Sequence, residues 1–411
     1  MNTFEHIVIV GAGHAGGRVA QHLRALGYDQ RLTLVGEEPH APYERPALSK
    51  ELLKGERAAP ELVLGPAAFW TDGNAVAHVR GRASALDAEA RLLSLSDGST
   101  IGFDRLVVAT GGRARTLNIP GADLPGVVTL RTIDDSLALR ETLVPGRRVA
   151  IVGAGVIGME VAASARALGA DVTVLEAGNR ILARCLPPAA SEWLHGLHTA
   201  NGTRIETGVQ VSRIERDGTA LRVHVARGGE AWALAADVVL AAVGIDSGVD
   251  FLAGTGIANE HGVPVGADCR SPVAPWCFAA GDVALTYSPL YQRAVRQETW
   301  RNAENQAQAV AGFLLGRTDP YIEVPWMWTD QLGHNIQVVG QPGDADEIVV
   351  RQGASGAPAT MLLLRGGQVA GGVLIDNGRE RKHLEALVRS GTPVERRRLA
   401  DAAIPLKALA S

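Results

Sequence analysis

The sequence predicts an α/β protein with two dinucleotide-binding domains followed by a C-terminal α+β domain. Three observations predict it. Ile7–Val10 runs into Gly11-Ala12-Gly13-His14-Ala15-Gly16, and Val149–Val152 runs into Gly153-Ala154-Gly155-Val156-Ile157-Gly158. Each loop is preceded by a strand pattern and followed by an alanine-rich helical pattern. That is the arrangement of a Rossmann-like unit, whose helix N-terminus faces a pyrophosphate. Each is also followed, about 20 residues on, by an acid at the end of a second strand, Glu37 or Glu176, where ribose hydroxyls bind. The chain is expected to bind two dinucleotides.

Taken in order, Ile7–Val10 is the first strand, Arg18–Leu26 its crossover helix closed by Gly27, and Arg31–Val35 the second strand. In Pro42-Tyr43-Glu44-Arg45-Pro46-Ala47-Leu48-Ser49-Lys50 the prolines delay a helix. A short one is expected at Leu48–Leu53, with the Lys50 ammonium at its start. Val76–Thr100 alternates around an Asp97-Gly98 turn and predicts an inserted, antiparallel, three-stranded sheet. Leu106–Gly112 is a buried strand whose end, with Thr110 and Gly111, lets backbone approach a ligand. Arg131–Leu143 is a helix stopped by Pro145-Gly146.

The plan then repeats. Asp171–Leu175 ends in Glu176, Val209–Ala233 has strand alternation, and Asp237–Gly244 is the closing apolar strand. The two glycine loops stand 142 positions apart, so the second half reads as an internal duplication of the first. Beyond Gly244 the chain is expected to return to the first domain. Phe278–Val283 is a strand whose Gly281-Asp282 end presents a carboxylate to a sugar hydroxyl. Glu298 precedes a helix at Thr299–Leu315 whose N-terminus can stabilise negative charge. From about Val324 the character changes. Pro325-Trp326-Met327-Trp328 is aromatic-rich in a chain with only 4% aromatics, which marks a separate region. Four strands (Ile336–Gly340, Glu347–Arg351, Met361–Leu364, Val369–Ile375) and a helix at Arg379–Arg389 complete it. The expected domains are therefore 1–113 with 245–322, then 114–244, then 323–411.

Composition excludes several classes. A net charge of −4 argues against a nucleic-acid partner. Cys185, Cys269 and Cys277 form no Cys-x-x-Cys and no metal-ligand spacing, so no metal site is expected and a reducing compartment is. The sequence has neither a signal-peptide pattern nor a bilayer-length apolar run, which points to a cytoplasmic enzyme with no membrane partner. Glu176 repels a 2′-phosphate and so favours NADH over NADPH, with Arg180 and Arg184 near enough to soften the preference.

The most specific segments are Pro46-Ala47-Leu48-Ser49-Lys50, Gly153 through Glu160, Ala280-Gly281-Asp282, Glu298-Thr299-Trp300-Arg301-Asn302-Ala303 and Pro325-Trp326-Met327-Trp328-Thr329-Asp330. On these residues the chain resembles the FAD-dependent NADH:ferredoxin reductases of bacterial oxygenase systems. That family, on the glutathione-reductase-like fold (three-layer ββα nucleotide domains), includes putidaredoxin reductase and the reductase components of biphenyl and toluene dioxygenases. The resemblance implies that Gly11, Gly13, Ala15, Gly16, Glu37, Lys50, Ala83, Thr110, Gly111, Arg131, Asp282 and Trp300 bind FAD. It implies that Gly153, Gly155, Ile157, Gly158, Glu160, Glu176, Arg184 and Gly244 bind NADH, with Glu298 near the nicotinamide carboxamide. It also implies a Lys50–Glu160 ion pair beside the flavin N5. One departure is Asp246-Ser247-Gly248, where relatives carry a Pro-Asn or similar pair.

The chemistry implied is a change of electron number: NADH gives a hydride, while a two-iron two-sulfur ferredoxin takes electrons singly, and FAD does both. Lys50, Glu160, Glu298 and Trp328 are the expected catalytic set, with Trp328 and Trp326 on the electron exit route. Arg293, Arg296, Arg301, Arg379 and Lys382 are expected to form a basic docking face for the acidic ferredoxin, on a monomer or homodimer. A disulfide reductase or NADH oxidase would need a cysteine between Glu37 and Lys54, and none is there. An apoptosis-inducing-factor-like flavoprotein would need a targeting segment and a basic surface, and the sequence shows neither.

Overall fold

A computed structural model of the protein describes residues 4–71, 75–353 and 358–409. Two compact units emerge. The first is Met1–Arg45, Ala59–Arg113 and Asp246–Glu323; the second is Pro46–Ala58, Ala114–Ile245 and Val324–Ser411.

The first unit is built on a wholly parallel sheet in the order Cys277–Ala279, Arg105–Val108, His6–Val10, Arg31–Gly36, Ala77–Arg80. Parallel strands need cover on both faces, which is why His6–Val10 is buried along its whole length. Alternate side chains serve opposite layers. Ile7, Ile9 and Val107 pack with Val19 and Leu23 of helix His14–Ala25 and with Val310 and Ala311 of helix Trp300–Leu314. Val8, Val10 and Val108 pack with Leu93 and Leu95 of a small antiparallel sheet, Ala83–Asp87, Leu92–Leu95 and Thr100–Gly102. The layers are therefore sheet, sheet and helix.

The structure corrects the sequence at one strand here. Ala77–Arg80 pairs parallel with Arg31–Gly36 at the edge of the main sheet and is not part of the antiparallel insertion. Its short, partly exposed run reads the same for either direction, and only the partner strand decides. The three short strands Val263–Val265, Ala284–Ser288 and Arg293–Arg296 were not signalled by the sequence.

In the second unit a parallel sheet runs Arg204–Thr207, Asp171–Glu176, Arg148–Val152, Val238–Ala241, Val127–Val128. It is backed by the antiparallel sheet Gln210–Asp217, Ala220–Arg227, Glu230–Ala236, so the duplicated plan is present. Pro46–Ala58, within 1–113 on the sequence reading, groups with this unit. It forms a 3-10 turn at Pro46–Ser49 and a short helix at Glu51–Lys54, where the sequence suggests one helix. Ser136 Oγ–H donates to the Leu48 carbonyl (2.7 Å) and Ser164 Oγ–H to the Ser49 carbonyl (2.7 Å), fixing it against two helices. The C-terminal sheet has five strands, not four: Trp326–Gln331 lies on its edge beside His334–Gly340, followed by Gln368–Ile375, Pro358–Arg365 and Glu347–Gln352. Leu384 and Leu387 of helix Arg381–Ser390 are buried.

Candidate functional site: two glycine loops and a buried carboxylate

The first loop is a cradle closed against side chains. Gly11 has φ +113°, and a Cβ there would stand 2.3 Å from the Ala109 carbonyl oxygen; one on Gly16 would stand 1.9 Å from the Gly11 carbonyl oxygen. Gly13 meets only the Arg45 guanidinium, at 3.5 Å. Gly13 caps helix His14–Ala25 with no side-chain acceptor and no acid in the first turn, so the helix amides and dipole are left for an anion. Ala15 is buried beneath the loop, and Gly281 (φ +78°) admits it at a distance where a Cβ would be only 2.9 Å away. The Thr110 hydroxyl is buried with no partner among the described residues. This is a donor-rich, carbon-poor concavity at strand ends, which fits the pyrophosphate of FAD.

The other first-unit residues spread around that loop. Glu37 is exposed at the end of its strand, with Arg82 Nε at 3.7 Å and Arg113 Nη2 at 3.5 Å. Both pairs are exposed and screened, so the carboxylate stays available at the position expected for a ribose. Ala83 opens the small sheet, and Gly111 (φ +62°) follows Thr110. Asp282 lies half-buried in the turn after Cys277–Ala279. The Trp300 ring stacks obliquely on His14, centroids 5.3 Å apart. His14 Nε2 and Arg18 Nε both reach Glu304, at 2.8 and 2.7 Å, joining the two helices. Glu298 is exposed and accepts from Arg296. Arg301 lies 3.1 Å from Glu323, so its charge is already engaged.

The second loop repeats the geometry. Gly153 (φ +106°) would put a Cβ 2.4 Å from the Ala242 carbonyl oxygen, and Gly158 would put one 2.1 Å from that of Gly153. Gly155 faces open space and caps helix Val156–Ala167 without a side chain. Glu176 accepts from the Ala154 N–H (2.7 Å) and the Gly178 N–H (2.6 Å), which pins its carboxylate at the loop. Ile157 is 44% exposed, a large apolar surface at the helix start. Gly244 (φ +105°) and Arg184 are exposed. Arg180 is engaged by the Leu186 carbonyl and Ser191, which leaves Arg184 as the softening cation. Arg131 leads into helix Ile133–Thr142, where its N–H donates to Asp135 (2.9 Å).

One turn past the second loop sits Glu160, only 4% exposed. Its Oε1 accepts from Thr329 Oγ–H (2.7 Å) and its Oε2 from Ser49 Oγ–H. Lys50 Nζ lies 3.8 Å from Glu160 and 3.3 Å from Asp330. Burial pushes the Glu160 carboxyl up, against Lys50 and the two hydroxyls, while Asp330 pushes it further up. Asp330 is half-exposed, so its pairing is screened by water and contributes little; the pairing that matters energetically is the longer, buried one. Strand alternation explains the sorting. Thr329 and Gln331 face inward, whereas Trp326 and Trp328 share the other face, stacked with centroids 5.1 Å apart at 20°. Lys50 Nζ stands 5.6 Å over Trp328, and Arg381 stands 4.8 Å over Trp326.

Comparison with known proteins now identifies the lineage. Residues 5–307 match the model of the pyridine nucleotide-disulphide oxidoreductases, and residues 326–410 match that of the reductase C-terminal domain. The chain belongs to the pyridine nucleotide-disulphide oxidoreductase family. It is 38% identical to the ferredoxin–NAD(+) reductase component of the anthranilate 1,2-dioxygenase system of Burkholderia cepacia, over 97% of this chain and 98% of the other. Its fold matches the ferredoxin reductase for the CYP199A2 system from Rhodopseudomonas palustris with a TM-score of 0.93 and 34% identity, covering 99% and 100%. It also matches the covalent putidaredoxin reductase–putidaredoxin complex with a TM-score of 0.90 and 32% identity, covering 98% and 97%.

Despite the family's name, no disulfide joins Cys185, Cys269 and Cys277. Burial pushes the Cys269 and Cys277 thiols up to about 12, which removes them as nucleophiles. Three residues of interest escape sequence reasoning. Arg45 stands beside the first loop, and Ser49 and Thr329 bond Glu160. Each lay inside a segment that the sequence singled out, yet only folding shows where its side chain goes.

Proposed function

We propose that this oxidoreductase passes electrons from NADH through FAD to a two-iron two-sulfur ferredoxin that feeds a bacterial oxygenase in the cytoplasm. What carries the reading is full-length similarity to ferredoxin–NAD(+) reductases, together with two glycine cradles on one chain. Among the described residues no helix is long and apolar enough to cross a membrane. When bound, FAD accepts a hydride and releases electrons one at a time.

The chain's own part is binding, alignment and charge. The Gly11–Gly16 loop, Arg45 and Thr110 would hold the FAD pyrophosphate side, with Glu37 and Asp282 taking sugar hydroxyls and Ala83, Gly111 and Trp300 completing this unit's part; Arg131 is assigned to FAD by the resemblance alone. The Gly153–Gly158 loop, Gly244 and Arg184 hold NADH. Ile157, exposed at the helix start, gives the nicotinamide an apolar face, and Glu298 is assigned to its carboxamide. Glu160, fixed by Ser49, Thr329 and Lys50, gives the nicotinamide a hydrogen-bonding edge, so alignment rather than proton transfer supplies the rate. Trp328, over Lys50 and stacked on Trp326, is the proposed exit for electrons.

Two results are expected. The purified protein is yellow, bleaches anaerobically with NADH, and reduces a two-iron ferredoxin; a colourless protein, or one that bleaches but reduces no ferredoxin, overturns the proposal. In that assay Trp328→Ala should keep NADH-to-dye turnover and lose ferredoxin reduction about tenfold, the scale of one 1.4 kcal/mol contact. Equal loss of both would remove the exit role.

Nucleotide choice is assigned to Glu176, whose carboxylate is pinned by the Ala154 and Gly178 N–H groups and would repel a 2′-phosphate. Glu176→Ala should raise KM for NADH and lower it for NADPH, narrowing the preference by about tenfold or more. Unchanged preference would show that selection lies elsewhere.

A further inference from the structure

Glu160 ends a buried relay that the proposed reaction does not by itself require. Thr329 Oγ lies 2.9 Å from Gln331 Nε2, and Gln331 Oε1 lies 2.8 Å from His198 Nε2, on helix Pro188–Ala200. Ser49, Thr329, Gln331 and His198 are all at most 1% exposed. The proton inventory sets a direction. An ionised Glu160 only accepts, so Thr329 gives it its single proton and its oxygen takes the Gln331 N–H. The Gln331 carbonyl then requires a proton on His198 Nε2. Every donor points toward Glu160, and such chains polarise one another. Burial pushes His198 down, with His195 adding to this and Gln331 opposing it, so the ring is a neutral donor rather than a cation. Its Nδ1 is buried with no partner among the described residues. Reversal would put an N–H on that unpartnered nitrogen, the costlier group to leave orphaned.

Resting on the NADH-dependent reading above, we propose that His198, acting through Gln331 and Thr329, is a positioning residue that holds Glu160 as an aligned carboxylate beside the nicotinamide. The other groups facing Glu160 are Lys50 and Ser49 from one segment and Asp330 from the edge strand. With the relay cut, Thr329 no longer has a polarised supply behind it, and Glu160 binds a proton more tightly.

The test measures Glu160 directly, by infrared titration of its protonated-carboxyl band in the flavin-loaded protein, assigned by its loss in Glu160→Gln. Stopped-flow reduction by NADH is followed across the same pH range. His198→Leu should move both the band's midpoint and the acid limb of the reduction rate upward by about one pH unit, a tenfold tighter proton. His198→Gln, which restores an N–H donor, should bring both back. Should His198→Leu fail to fold, Gln331→Met decides in the same assays, with the same shift expected. Identical midpoints in wild type and relay variants overturn the inference. Failure of the wild type to be reduced by NADH overturns the proposed function instead, and the infrared titration still judges the relay.

Discussion

Gly16→Val is expected to yield protein without flavin. A Cβ at this position lies 1.9 Å from the Gly11 carbonyl oxygen and 3.2 Å from Ile9 Cγ2, and the first of these is backbone that cannot rotate away. Helix His14–Ala25 must withdraw from the sheet, taking with it the amides that face the pyrophosphate. Overpacking of this kind costs about 1–3 kcal/mol in the protein alone. Loss of the bound cofactor removes its linked stabilisation too, roughly 3–4 kcal/mol for a ligand held at 100–1,000 times its Kd. Bound flavin per chain, read from the visible spectrum, should fall at least tenfold. Gly13→Ala is the control: its Cβ meets only the Arg45 guanidinium, at 3.5 Å, so the apoprotein should melt as wild type does and lose flavin affinity only. If Gly16→Val retains a full complement of flavin, the loop is not the cofactor cradle.

Lys50→Met is the second large effect. Removing the ammonium leaves Glu160 buried without its cation, and uncompensated charge at such a site costs about 3–5 kcal/mol. The carboxyl avoids that by holding a proton. Its folded pKa, already raised by burial, rises further above the reference value of 4.5. The folded state then binds more protons than the unfolded chain, so stability is greatest below about 4.5 and declines as pH rises toward the folded value. Melting temperature against pH checks this sign. Flavin reduction by NADH should fall by about 10²–10³, the usual scale for removing one preorganised charged contact. Lys50→Met with Glu160→Gln should recover the stability, because both partners go together, but not the rate. If the single variant is reduced at the wild-type rate, the pair is structural and Glu160 has no part in aligning NADH.

Much of the site was legible because it is local. A glycine loop needs only a strand before it, a helix after it and an acid about 20 residues on, all within one unit of sequence. Both loops, Glu37 and Glu176 are therefore where the pattern puts them. The Glu160 setting was legible only by resemblance. Nothing near Glu160 in sequence announces that Ser49, 111 positions before it, and Thr329, 169 positions after it, close on its two oxygens. The Ala77–Arg80 strand failed for a related reason, since strand direction is a property of the partner.

The sequence alone determined two glycine loops between strand and helix, their duplication, the acids at their strand ends and the absence of a redox cysteine pair. These depend on backbone sterics and short periodicity, which any chain segment carries with it. Tertiary structure decided which residues surround Glu160, that Pro46–Ala58 joins the second unit, and that His198 is linked through Gln331 and Thr329 to a carboxylate on another helix. Those depend on desolvation, and a group is desolvated only by segments that chain folding brings over it.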